Sequence, residues 1–131
     1  MSKISKAMKD ELEKEVVQVV MRATRNTSLN AKSFAPVDKG GLRASIRPLY
    51  KGKSGEVTVG VEYAPYVEFG TGSKVNVPSE LSSYAVQFKG AGLRESNTRA
   101  QPYFYPAVFL NREKFYKEMD KSLNNIIKKR R

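Results

Sequence analysis

Ile4, Met8, Leu12, Val16, Val20, Ala23 and Thr27 recur every three or four residues, with lysines and glutamates between them. That period predicts an amphipathic helix from near Ser5 to near Leu29, carrying one apolar stripe that has to be buried. The polar run Asn26-Thr-Ser-Leu-Asn30 reads as its fraying end. Pro36 pushes Ala35 out of helical geometry, and Gly40 and Gly41 permit turn dihedrals, so residues 35–41 read as a connector. From Leu42 the period changes. Leu42, Ala44 and Ile46 alternate with Arg43, Ser45 and Arg47, and Val57, Val59 and Val61 alternate again after the turn segment 51–55. A period of two predicts half-buried strands, here an antiparallel hairpin with one wet face.

Tyr63-Ala-Pro-Tyr-Val-Glu-Phe-Gly70 breaks the alternation: Pro65 suits the first turn of a short helix and Gly70 its stop. Residues 71–101 show no sustained periodicity, apart from a short strand expected around 84–88. So long a loop in a small domain points to a function, and it reads as a flexible arm that orders on a partner. Pro102-Tyr-Phe-Tyr-Pro-Ala107 leads into a second helix with Pro106 near its first turn. Val108, Phe115, Met119, Leu123, Ile126 and Ile127 form its stripe, and the basic tail 128–131 complements its C-terminus. The expectation is a single α+β domain over residues 1–131, with a small antiparallel sheet packed by a long N-terminal helix and a C-terminal helix.

Composition narrows the chemistry. Among the 131 residues there is no cysteine and no histidine, which removes disulfides, thiol catalysis, thiolate metal sites and the side chain best suited to proton transfer near neutrality. No apolar run approaches the ~20 residues of a membrane span, and the N-terminus lacks the apolar core of a signal peptide, so residence in the cytoplasm and no membrane partner are expected. The net charge of +11 is spread along the chain: residues 1–53 hold 12 Lys/Arg against 5 Asp/Glu, and residues 54–131 hold 12 against 8. Such a balance favours polyanionic partners.

Candidate chemical groups are few. Glu62 and Glu68 form a notional carboxylate pair but read better as surface charges or partners of nearby arginines, and Asp38 as a turn residue capping local N–H groups. The run Gly70-Thr-Gly-Ser-Lys74 lacks the spacing of a phosphate loop. Tyr63, Tyr66 and Phe69 make one aromatic group, and Tyr103, Phe104 and Tyr105 another. Stacking on nucleobases is one reading of them. The better one makes Phe69 and Phe104 core or interface anchors, with the tyrosines at a half-buried rim. No catalytic, metal or cofactor site is expected.

Two segments and a third carry a resemblance. Pro36-Val-Asp-Lys-Gly-Gly-Leu-Arg-Ala-Ser-Ile46 resembles the Pro-Val-Asp-x-Gly-x-Leu-Arg-x-Ser stretch of the head–tail joining and tail-completion proteins of long-tailed bacteriophages. Val59-Gly-Val-Glu-Tyr-Ala-Pro-Tyr-Val-Glu-Phe-Gly-Thr71 resembles their Tyr-Ala-x-x-x-Glu-x-Gly-Thr segment, and Pro102 to Ala107 their aromatic-Pro-Ala approach to the last helix. The motif positions are Pro36, Asp38, Gly40, Leu42, Arg43, Ser45, Tyr63, Ala64, Glu68, Gly70, Thr71, Pro102, Pro106 and Ala107.

What the resemblance implies is a non-enzymatic subunit, monomeric when isolated and forming a ring, commonly a hexamer, around the DNA channel at the neck of the virion. Its partners would be copies of itself and neighbouring head-completion or tail proteins, met in the host cytoplasm during assembly. Non-specific contact with genomic DNA would fall to Arg43, Arg47, Lys128, Lys129, Arg130 and Arg131. The rival reading is a stand-alone basic nucleic-acid-binding module using the same cations. An enzyme acting through Glu62 and Glu68 is a distant third.

Overall fold

The computed structural model describes residues 5–37, 40–70, 79–81 and 99–129. Its order is α1 (Lys6–Phe34), α2 (Gly40–Ser45), β1 (Ile46–Lys51), β2 (Ser54–Val59), α3 (Ala64–Phe69), a single 3-10 turn (Ser79–Leu81) and α4 (Phe104–Lys129). The fold is α+β, as the patterning predicts: a two-stranded antiparallel sheet against a long N-terminal and a C-terminal helix.

α1 starts where the sequence places it, with the Ser5 hydroxyl accepting from the Met8 amide at 3.1 Å. It ends later than expected. The run 26–30 is not a fraying end, because the helix continues to Phe34 and buries Ser28 and Ala31. Two threonine hydroxyls donate back to their own helix, Thr24 to the Val20 carbonyl at 2.8 Å and Thr27 to the Ala23 carbonyl at 2.7 Å. Hydroxyls satisfied in this way cost little to bury, and packing then overrides the weak helix propensity of the segment. Ala35 is extended (φ −63°, ψ 142°), as a residue before proline should be.

The expected strand at Leu42 is a correction. Residues 40–45 are helical, and the strand begins only at Ile46. Leu42 and Ile46 are fully buried while Ala44 between them is exposed, so the apolar pair is spaced four apart, not two. From Ile46 the hairpin behaves as patterned: Ile46 faces Val59 and Pro48 faces Val57. Gly52 (φ 62°) opens the two-residue turn between Lys51 and Ser54, in the conformation that a type II′ hairpin turn asks of its first residue.

α1 and α4 are antiparallel. Asn111 Nδ2 donates to Asn30 Oδ1 at 2.9 Å, Arg22 pairs with Glu118 at 3.9 Å and Lys129 with Glu11 at 3.6 Å. The main core lies at one end of this pair, where Ala31, Ala35, Leu42, Ile46, Ala64, Val67, Tyr103 and Ala107 meet. Every element from α1 to α4 except the 3-10 turn contributes to it or packs against it. Each large side chain there contributes roughly 1.5–3 kcal/mol by leaving water.

Candidate functional site

α3 forms because Pro65 presets its first turn, and Gly70 (φ 80°) stops it with its N–H donating to the Tyr66 carbonyl at 2.9 Å. The short helix turns Val67, Glu68 and Phe69 inward. Glu68 is only 5% exposed, and its carboxylate is the acceptor for the start of α4. Oε1 accepts from the Tyr103 amide at 3.0 Å and the Phe104 amide at 2.8 Å, and Oε2 from the Tyr105 amide at 2.9 Å. These N–H groups have no intrahelical acceptor, and they carry the positive end of the helix dipole. A carboxylate there meets hydrogen-bonding need and charge together. Two residues before Tyr103, the Gln101 amide donates to the Val67 carbonyl at 2.8 Å.

Glu68 therefore is neither a surface charge nor an arginine partner. The side-chain pattern does not reveal its role, because the groups it caps lie 35 to 37 residues away. Glu62, by contrast, is exposed. The two carboxylates have no shared task.

The contacts at Val67 and Glu68 join the chain just before residue 71 to the chain just after residue 100. Residues 71–78 and 82–98 lie outside the described residues, and so does most of the arm expected at 71–101. Within that span, Glu80 pairs with Arg112 of α4 at 3.3 Å, and the Arg112 guanidinium sits 4.9 Å from the Phe109 ring centroid. Leu81 lines a groove of about 580 Å³ with Val59, Val61, Phe69, Tyr103 and Tyr105. The strand expected at 84–88 lies outside the described residues, as do Asp38, Thr71, Arg130 and Arg131.

Tyr103 is a further correction. In place of the expected half-buried rim position, it is 1% exposed and meets the Phe104 ring edge-on at 6.3 Å, while Phe104 is only half-buried. Burial first, then the Glu68 charge and Tyr63, push its phenol well above the usual tyrosine range. Burial and Glu68 push Tyr105 upward too. Since the folded chain holds the Tyr103 proton after the unfolded chain has released it, stability is intact below about pH 10 and falls as the pH rises further. Thermal unfolding between about pH 9 and 11 should show that decline, and Tyr103→Phe should make it shallower.

Arg43 has a structural partner. It is half-buried, and its Nη2 donates to the Ala35 carbonyl at 3.1 Å, just past the end of α1, where positive charge suits the helix dipole. Arg47 stays exposed on the outer face of the hairpin, and Lys128 and Lys129 on α4. Among the described residues, the expected DNA-facing cations thus lie on three different elements, α2, β1 and α4. Of the other motif positions, Leu42, Ala64 and Ala107 are core residues, Ser45 donates to the Leu42 carbonyl at 2.8 Å, and Pro36, Pro102 and Pro106 are half-buried. Tyr63 is 39% exposed, and Gly40 opens α2.

Among the described residues, no helix is long and apolar enough to cross a membrane. The family model described as "Bacteriophage HK97-gp10, putative tail-component" matches residues 1–70, from before α1 to the stop of α3. No curated protein and no solved structure matches.

Proposed function

Since the chain belongs to the HK97-gp10-like family of bacteriophage tail components, we propose that it is a head–tail joining or tail-completion subunit that forms a ring at the neck of the virion. The observation that carries this reading is the junction at Glu68. Residues 71–100 are tied to the domain at both ends, so a segment of that length can serve a neighbouring subunit without loosening the fold it springs from. Lengthening or shortening such a closed segment costs little free energy, because loop-closure entropy grows only slowly with length. A ring needs contacts between two different patches, and in this proposal the segment would supply one of them. The role is structural and asks for no catalytic group. Assembly would take place in the host cytoplasm and the finished subunit would reside in the virion.

Electron microscopy of particles from a strain lacking the gene tests the proposal. The expected result is capsids and tails that fail to join or complete, restored by the full chain. A second copy in which residues 82–98 are replaced by a short glycine–serine link should fold with nearly unchanged melting temperature but fail to restore them. Normal infectious particles from the deleted strain would overturn the proposal.

A further inference from the structure

Part of the positive charge is concentrated on one helix. Lys114, Lys117, Lys121 and Lys128 of α4 recur at three, four and seven residues, which puts them on one line along the helix, and all are exposed. At about 1.5 Å per residue the line is about 21 Å long. Lys114, Lys121 and Lys128 have no carboxylate within ion-pair distance among the described residues, and Lys117 has only Glu113, at 4.0 Å with both side chains in open solvent. So exposed a pair neutralises little. The remaining acid of this stretch, Asp120, is exposed on the flank beside Glu113.

Neighbouring α1 adds to the line. At about 100° per residue, the order around α4 is first Val108 and Phe115, which line the groove shared with the hairpin. Next come Asn111 and Glu118, which meet α1, and then the lysines. The lysines therefore flank α1 on the side of the helix pair remote from the hairpin. On α1, Arg25 is exposed, and the antiparallel register sets it level with Lys114. The acids Glu11, Glu15 and Glu118 are engaged at the seam, with Lys129 and Arg22.

We infer that this two-helix face binds the phosphate backbone of duplex nucleic acid without reading sequence. A rigid line of about 21 Å lies alongside the phosphates of roughly six base pairs, at about 3.4 Å of axis per pair. The apolar stripe of α4 is occupied by α1 and the hairpin, so it cannot also enter a lipid surface as an interfacial helix would. The inference rests on the tail-complex reading for its biological setting, since a ring at the neck meets duplex DNA. Its physical basis is separate.

Fluorescence anisotropy of a short duplex of arbitrary sequence, titrated with the whole chain over a range of salt, provides the test. Replacing Lys114, Lys117, Lys121 and Lys128 together by glutamine should weaken binding at least about tenfold. It should also flatten the dependence of log K on log salt by up to about 3.6, near 0.9 for each phosphate no longer neutralised. Lys114→Gln/Lys121→Gln alone should give about half that change, and Arg47→Gln/Lys51→Gln on the hairpin should give little. Exposed substitutions of this kind move stability by less than about 0.5 kcal/mol, so the melting temperature should hold. An unchanged salt slope in the fourfold variant would overturn the inference, as would equal losses from the hairpin variant. Capture by phosphatidylserine vesicles without binding to the duplex would overturn it as well. Because binding is read on the isolated chain, failure here is distinct from failure of the particle-assembly test.

Discussion

Glu68→Ala is expected to lower stability by about 3 kcal/mol. Hydrogen bonds to a charged acceptor are each worth roughly 1.5–3 kcal/mol, and an ordinary helix cap about 1. Here one carboxylate serves three amides at 2.8–3.0 Å in a nearly dry position. The three bonds added together overstate the loss, because water and a frayed first turn would recover part of it. For a domain of this size the corresponding fall in melting temperature is on the order of 10 °C. Glu68→Gln keeps the shape but leaves one acceptor oxygen, and should fall about halfway between. Amide exchange at Tyr103, Phe104 and Tyr105 should accelerate in both variants, ahead of exchange in the middle of α4. A Glu68→Ala protein within about 0.5 kcal/mol of the native chain would show that the carboxylate is not what holds α4 to α3.

Gly55→Val should be at least as damaging, for a steric reason. A Cβ at residue 55 would fall 1.9 Å from Thr24 Oγ1 and 2.9 Å from Thr24 Cβ, the latter fixed to the backbone of α1. No rotamer of Thr24 relieves both clashes, so the hairpin must lift from the helix. Overpacking costs roughly 1–3 kcal/mol, and the branched side chain puts valine at or above the top of that range. Gly55→Ala should cost less, about 2 kcal/mol. Combining Gly55→Ala with Thr24→Ala should recover part of the loss, since it removes Oγ1 and leaves Cβ. Denaturant unfolding of the two single variants and the double variant would give the coupling energy. Simple additivity would mean that the hairpin does not rest on α1 at this point.

How far the sequence is legible depends on the range of the forces involved. The two long helices and the hairpin turn follow from local rules: apolar residues every three or four positions, a serine hydroxyl at the N-cap, a glycine at the first position of the turn. The motif resemblance is legible too, and the family match over residues 1–70 agrees with it. Misreadings cluster where neighbours in space differ from neighbours in sequence. Leu42 and Ile46 satisfy a period of two and a period of four equally well, and only the packing against Ala35 and Tyr103 selects the helix. The polar run near Ser28 looks like a helix end until small residues are what a close-packed hairpin and α4 require. Arg43 and Glu68 look like surface charges because their acceptors and donors are backbone groups, which a side-chain pattern does not mark.

Patterning by itself determined which stretches bury a face, where the turns fall, that cysteine and histidine chemistry is absent, and that the chain carries excess positive charge. It pointed to the family as well, and the match over residues 1–70 covers the segments that begin at Pro36 and Val59. Tertiary structure alone decided what those segments are for in the fold: Arg43 holds the end of α1, and Glu68 holds the start of α4. It also placed α1 and α4 side by side, so that Glu118 and Glu11 pair across the seam while Lys114, Lys117, Lys121 and Lys128 stay exposed. The physical reason is common to both. Helix and turn preferences act over a few residues, whereas the capping by Glu68 and the charge pairing across the seam join groups tens of residues apart, at distances that exist only once the chain has folded.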